Sequence, residues 1–127
     1  DMKPLVLIVD DEPLQREIMQ AILEAHGYET ALAASGREAL DILHRHGVDV
    51  ALLDVAAQGV DGPEILRAIR QQVRDLPVMI MGALMTPELR RAWRSRGATD
   101  CLAKPVEPRI LSALLIACVP PSGFADS

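Results

Sequence analysis

The strict alternation of strand-like and helix-like segments predicts an α/β protein built on a doubly wound parallel sheet. Five short apolar runs alternate with five segments of helical periodicity along 127 residues. Residues 5–9 are apolar without interruption, as expected of a strand buried on both faces. Three of them run straight into charge: residues 5–9 into Asp10-Asp11-Glu12, residues 50–53 into Asp54, and residues 101–103 into Lys104-Pro105. Right-handed crossovers between parallel strands put helices on both sheet faces and leave the strand C-termini along one edge.

Each element has its own local reason. Residues 5–9 are the first strand. Residues 13–26 follow as a helix, with Pro13 near its start, an apolar face of Ile18, Ile22 and Ala25, and Gly27 as its stop. A weaker strand spans 29–33. Ser35, with Glu38 three residues on, forms a capping-box pattern. The helix it opens carries Ala39, Leu40, Ile42 and Leu43 and is stopped by Gly47. Residues 49–53 are the third strand. Gly59 and Gly62 bracket a loop before a helix through residues 64–69, and Pro77 opens the strand 78–81. Thr86-Pro87-Glu88 reads as a cap followed by proline in the first turn, and Gly97 stops that helix. Residues 99–103 are the fifth strand and 107–118 the last helix; the Pro120–Pro121 stretch to residue 127 is linker-like.

The length fits one domain, and half of the residues are apolar. Aromatics are only 2%, so the core must be aliphatic. A net charge of -5 disfavours non-specific nucleic-acid binding. No apolar run approaches the ~18 residues a membrane span needs. Asp1-Met2-Lys3-Pro4 leads directly into the first strand, so no signal peptide is expected. Cys101 and Cys118 lie in apolar stretches and read as two buried thiols of a reducing cytoplasm.

The charged strand ends carry the chemistry. Open α/β sheets hold ligands outside the C-terminal ends of their strands. Three acids and a lysine meeting there suit a divalent cation and a phosphoryl group, with one carboxylate as acceptor. Any one of these aspartates alone would read as a turn or cap residue; the set at matching strand ends reads as a site.

With this order and these spacings, the chain resembles the receiver domain of bacterial two-component response regulators, of the chemotaxis-regulator type. The carriers are Asp10-Asp11, Asp54, Asp61-Gly62, Gly97-Ala98 and Lys104-Pro105, and the likeness covers about residues 4–119. It implies a receiver domain over residues 2–119, with 120–127 as tail or linker. It implies a flavodoxin-like three-layer sandwich with strand order 2-1-3-4-5. It further implies that Asp54 accepts a phosphoryl group in a His-Asp phosphorelay. Asp11 and Asp54 would hold Mg2+ (or Mn2+) directly, Asp10 through water, and the Ala56 carbonyl would add a ligand. Lys104 would place positive charge on the phosphoryl oxygens, with Pro105 after it in a cis peptide bond. The implied partner is a histidine kinase or histidine phosphotransfer protein. A homodimer could form through the face of the fourth helix, fifth strand and fifth helix. Such a domain is cytoplasmic, binds neither nucleic acid nor membrane directly, and is no enzyme beyond its own phosphorylation and dephosphorylation.

The chain departs from the family pattern at the switch positions. The hydroxyl residue expected after the fourth strand is Gly82, which leaves the backbone N–H of Ala83 as a phosphoryl donor; Thr86 lies downstream. The aromatic residue expected three positions before the lysine is Cys101. The loop after Asp54 reads Ala57-Gln58, without the usual methionine and proline, and Gly59 adds freedom. The positions that govern hydrolysis in the family are Ala56 and Leu84 here, neither able to hydrogen-bond an attacking water.

Other groups read more plainly. Arg90, Arg91, Arg94 and Arg96 form a basic cluster, first a solvated helix face and second a partner surface. Trp93 beside them is expected to be partly buried. His26, His44 and His46 sit at helix C-termini, where a cation suits the dipole. Two alternatives remain: a degenerate receiver that binds partners without phosphorylation, favoured by Gly82 and Cys101, and a haloacid-dehalogenase-like phosphatase. The latter wants an aspartate two residues after its nucleophile, where this chain has Glu12 after Asp10.

Overall fold

The computed structural model describes residues 3–56 and 61–121. Ten elements alternate in chain order: β1 (Leu5–Val9), α1 (Pro13–Ala25), β2 (Glu29–Ala33), α2 (Gly36–Arg45), β3 (Val50–Asp54), α3 (Gly62–Gln72), β4 (Val78–Gly82), α4 (Pro87–Ser95), β5 (Asp100–Ala103) and α5 (Pro108–Cys118). The strands form one parallel sheet in the order β2-β1-β3-β4-β5. Sequence neighbours β1 and β2 lie side by side, whereas the chain reverses direction across the sheet at β1/β3. That is the switch point where such sheets hold ligands.

Strand side chains alternate between two cores. Leu7, Val9, Ala51, Leu53, Val78, Ile80 and Cys101 face α2 and α3, where Ala39, Leu43, Ile65, Leu66 and Ile69 meet them. Val6, Ile8, Val50, Leu52, Met79, Met81 and Leu102 face α1 and α5, through Leu23, Leu111 and Leu115. β3 and β4 are buried along their whole length. Fully burying each aliphatic side chain stabilises by roughly 1.5–3 kcal/mol, which compensates for the scarcity of aromatics.

The caps follow the sequence closely, with two refinements. Thr86 Oγ1 accepts the Leu89 N–H at 3.2 Å, and Asp61 Oδ1 accepts that of Glu64 at 3.2 Å. Ser35 Oγ accepts the Glu38 N–H at 3.2 Å, but the Glu38 carboxylate reaches back to Ala34 N–H at 3.4 Å rather than to Ser35. Gly27 and Gly97 adopt φ of 93° and 106°, the left-handed conformation that ends α1 and α4. Gly47 does not; α2 ends at His46 in extended backbone.

Three expectations are corrected. The core-facing side of α1 is Leu23 with Met19, four residues apart on one stripe; Ile18 is 47% exposed and Ala25 is exposed as well. The apolar residues on α1 outnumber those that one helix stripe can bury. Cys118 is exposed at the end of α5, and only Cys101 is buried. The arginines of α4 are not uniformly solvated: Arg90 and Arg94 reach β5. Trp93 is partly buried, as expected. Its ring packs beside Val55 and Gly62, where a Cβ on Gly62 would fall 2.6 Å from Val55 Cγ1 and 2.9 Å from Trp93 Cη2. Only glycine fits that approach. The Ala57-Gln58-Gly59 loop and the tail beyond Pro121 lie outside the described residues.

Candidate functional site

The C-terminal ends of β1, β3 and β5 build one cavity of about 480 Å³, lined by Asp10, Asp11, Glu12, Asp54, Ala56 and Lys104. Backbone bonds set the walls. Asp10 N–H extends the β1/β2 pairing to the Ala33 carbonyl at 3.0 Å, and Lys104 N–H extends β4/β5 to the Gly82 carbonyl at 2.9 Å. The Lys104–Pro105 peptide bond is cis. Asp54 is the last residue of β3 and is 1% exposed; Asp10 is 5% exposed.

Each buried carboxylate is held. Asp54 Oδ1 accepts the Ala56 N–H at 2.9 Å, and Oδ2 accepts from Lys104 Nζ at 2.5 Å. Asp10 Oδ1 accepts the Glu12 N–H at 3.0 Å, and the Asp10 carbonyl accepts from the Arg16 guanidinium at 2.7 Å. Burial pushes the Asp10 carboxyl above its ordinary pKa. The Glu12 N–H opposes the shift, while the adjacent Asp54 adds to it through charge and hydrogen bonding, and Lys104 opposes it again. Burial also works against the Lys104 charge. The hydrogen bond to Asp54, and then the charges of Asp54, Asp10 and Glu12, outweigh it and raise the lysine above its ordinary pKa.

The cavity therefore collects four carboxyl groups around one ammonium. That imbalance, with oxygen the only donor type, fits a hard divalent cation. Among the described residues, no group of three or more His, Cys, Asp or Glu side chains is gathered as a direct metal cage. Mg2+ does not require one, because it keeps several waters and takes one or two carboxylates.

Asp10, Asp11, Asp54, Ala56 and Lys104 thus come together. Ala83 and Leu84 do not line the cavity; they sit exposed past the end of β4. Gly82 is buried, and a Cβ there would fall 2.9 Å from Met85 Cε, whose side chain occupies the space. Sequence reasoning missed two contributors. Glu12 lines the cavity and acts on Lys104, a role signalled by its place directly after Asp10-Asp11. Arg16 ties down the Asp10 carbonyl, and no sequence signal marks it.

An α/β sheet with this strand order and an acid-lined, lysine-bearing edge is the form of a phosphorelay receiver. The profile described as "Response regulator receiver domain" matches residues 6–116. The chain belongs to that family and carries the receiver domain of two-component response regulators. It is 36% identical over 126 residues to response regulator MprA of Mycolicibacterium vanbaalenii, covering 96% of this chain and 54% of that protein. The chain spans about half the length of that curated relative. Chemotaxis protein CheY4 of Vibrio cholerae superposes with a TM-score of 0.86 at 32% identity, over 93% of this chain and 100% of that one. The structure of a CheX-CheY-BeF3-Mg2+ complex from Borrelia burgdorferi matches with a TM-score of 0.83 at 25% identity, over 90% of this chain and 87% of that one. No helix among the described residues is long and apolar enough to cross a membrane.

Proposed function

We propose that this receiver accepts a phosphoryl group on Asp54 from a phosphohistidine donor, a histidine kinase or histidine phosphotransfer protein. The observation that carries the reading is the buried Asp54 carboxylate at the floor of the cavity, met by the Lys104 ammonium at 2.5 Å. A carboxylate oxygen of Asp54 attacks phosphorus. The new P–O bond forms as the donor's P–N bond breaks, and its electron pair leaves with the imidazole nitrogen. Two anions meet in this step, so charge must be neutralised. Asp10, Asp11, Asp54 and the Ala56 carbonyl are the groups that would hold Mg2+ or Mn2+, which supplies positive charge to the phosphoryl oxygens. Lys104, with its pKa raised, stays cationic and follows the transferring oxygens. The Ala83 N–H is the remaining donor on the β4 side, because Gly82 has no hydroxyl.

The test is intact mass after incubation with Mg2+ and acetyl phosphate. Wild type should gain one phosphoryl group; Asp54→Asn should gain none, and Lys104→Ala should gain it slowly. A phosphoryl group on Asp10 or on a histidine would overturn the assignment. The second reading, a receiver that docks partners unphosphorylated, draws on Gly82 and Cys101. It is favoured if wild type stays unloaded with acetyl phosphate and with a phosphorylated histidine donor alike.

A further inference from the structure

We propose that Arg90 is a positioning residue for the phosphoryl-binding loop after β4, taking over part of the task that a hydroxyl at Gly82 and an aromatic ring at Cys101 would share. The inference rests on the phosphoacceptor reading of Asp54.

The loop between β4 and α4 is anchored at both ends. At one end the Gly82 carbonyl accepts from Lys104 N–H at 2.9 Å; at the other, Thr86 caps α4. Between these anchors, the Arg90 Nε donates to the Met85 carbonyl at 3.3 Å. The same guanidinium donates to the Cys101 carbonyl on β5 at 2.8 Å and lies 3.9 Å from the Asp100 carboxylate. Asp100 is fixed in turn by Arg94 at 2.9 Å and by the Cys101 N–H at 2.8 Å. One planar fork thus joins the loop, α4 and β5, a geometry that a lysine point charge does not reproduce.

Met85 links this fork to the altered position. Its methyl fills the space beside Gly82, and its carbonyl is the group that Arg90 holds. With no side chain at residue 82 to engage the phosphoryl group, and Ala83 outside the cavity lining, the β4 side can offer only loop backbone, whose position must be set from elsewhere. Arg90, one helical turn past Thr86, sets that position through the Met85 carbonyl. Arg91 is the internal control. It lies on the same helix with the same charge, yet it is 70% exposed and only 4.0 Å from the equally exposed Glu88.

The experiment compares wild type, Arg90→Ala, Arg90→Lys and Arg91→Ala. The readouts are amide hydrogen exchange without phosphodonor, Mn2+ affinity, and loading rate with acetyl phosphate. Arg90→Ala should speed exchange at residues 83–86 and slow loading roughly five- to tenfold, the scale of a misplaced donor. Mn2+ affinity should hold, because Asp10 and Asp11 follow β1 and Asp54 ends β3, whereas the bonds of Arg90 go to residue 85 and β5. Arg90→Lys should rescue little, and Arg91→Ala should match wild type in all three. Unchanged exchange at 83–86 in Arg90→Ala overturns the proposal. So does unchanged loading, or a loss of loading matched by an equal loss of Mn2+ affinity, which marks a general structural defect. A wild type that never gains mass overturns the phosphoacceptor reading instead; faster exchange at 83–86 in Arg90→Ala would then still uphold the positioning of the loop.

Discussion

Replacing Asp10 with asparagine should stabilise the metal-free protein. Asp10 is 5% exposed and shares the cavity with Asp54, itself 1% exposed, whose charge adds to burial in raising the Asp10 pKa. Two carboxylates so placed share one lysine. The asparagine carbonyl can keep the bond from Glu12 N–H, and its amide can donate to Asp54. A like-charge contact is thereby exchanged for a permanent donor, worth about 1–2 kcal/mol at the effective dielectric of such sites. For a domain of 127 residues this raises Tm by roughly 3–10 °C. The gain must also depend on pH. The Asp10 carboxyl is raised from its ordinary 3.8, so the folded state holds that proton more tightly than the unfolded chain. Wild-type stability therefore declines as pH rises from 3.8 through the higher folded value, and the advantage of the variant grows over that same window. Below it Asp10 is neutral in both states and the two proteins converge. Thermal melts in chelator between pH 3.5 and 8 measure this. An asparagine variant no more stable than wild type at pH 7.5, or a difference flat with pH, would refute the reasoning.

Three further outcomes follow from the geometry. Gly62→Ala should cost about 1–3 kcal/mol in denaturant unfolding, because its methyl would stand 2.6 Å from Val55 and 2.9 Å from Trp93. Gly82→Thr should be milder, about 1 kcal/mol, because the nearest atom, at 2.9 Å, is the end of the flexible Met85 side chain and Val55 Cγ2, at 3.3 Å, has to give only slightly; it should also speed phosphoryl uptake measured by mass. Phosphorylated wild type should decay slowly, since Ala56 lines the cavity without a polar side chain and Leu84, 66% exposed, has none either. Ala56→Asn with Leu84→Glu should decay several-fold faster by the same mass assay, and an unchanged half-life would remove these two positions from control of the attacking water.

The alternation of elements and the acid–lysine cavity were legible in the residues, because each depends on local pattern; the strand order 2-1-3-4-5 came only with the resemblance to receiver domains, since no local pattern says which strands lie side by side. Buried parallel strands are continuously apolar, and a charge at a strand end can only lie on the sheet edge. What was not legible depends on how elements dock. Periodicity placed Ile18, Ile22 and Ala25 on the apolar face of α1, but the side of that helix that meets the core carries Leu23, with the partly buried Met19 beside it. Arg90 and Arg94 looked like neighbours on a wet helix face; only the approach of β5 gives them carbonyl and carboxylate partners. Cys118 sits in an apolar stretch yet lies beyond the last core contact of α5 at Leu115.

The ring of Trp93 beside Val55 has a practical consequence. This is the single tryptophan of the chain, and its ring flanks Gly62 together with Val55, the residue next to Asp54. Excited at the red edge of indole absorption, where the one tyrosine, Tyr28, is silent, it gives one emission from one place. A rearrangement of Val55 on phosphorylation should change the surroundings of that indole and with them its emission. The protein thus carries an intrinsic optical gauge one residue from its proposed acceptor, read out in stopped-flow without labelling.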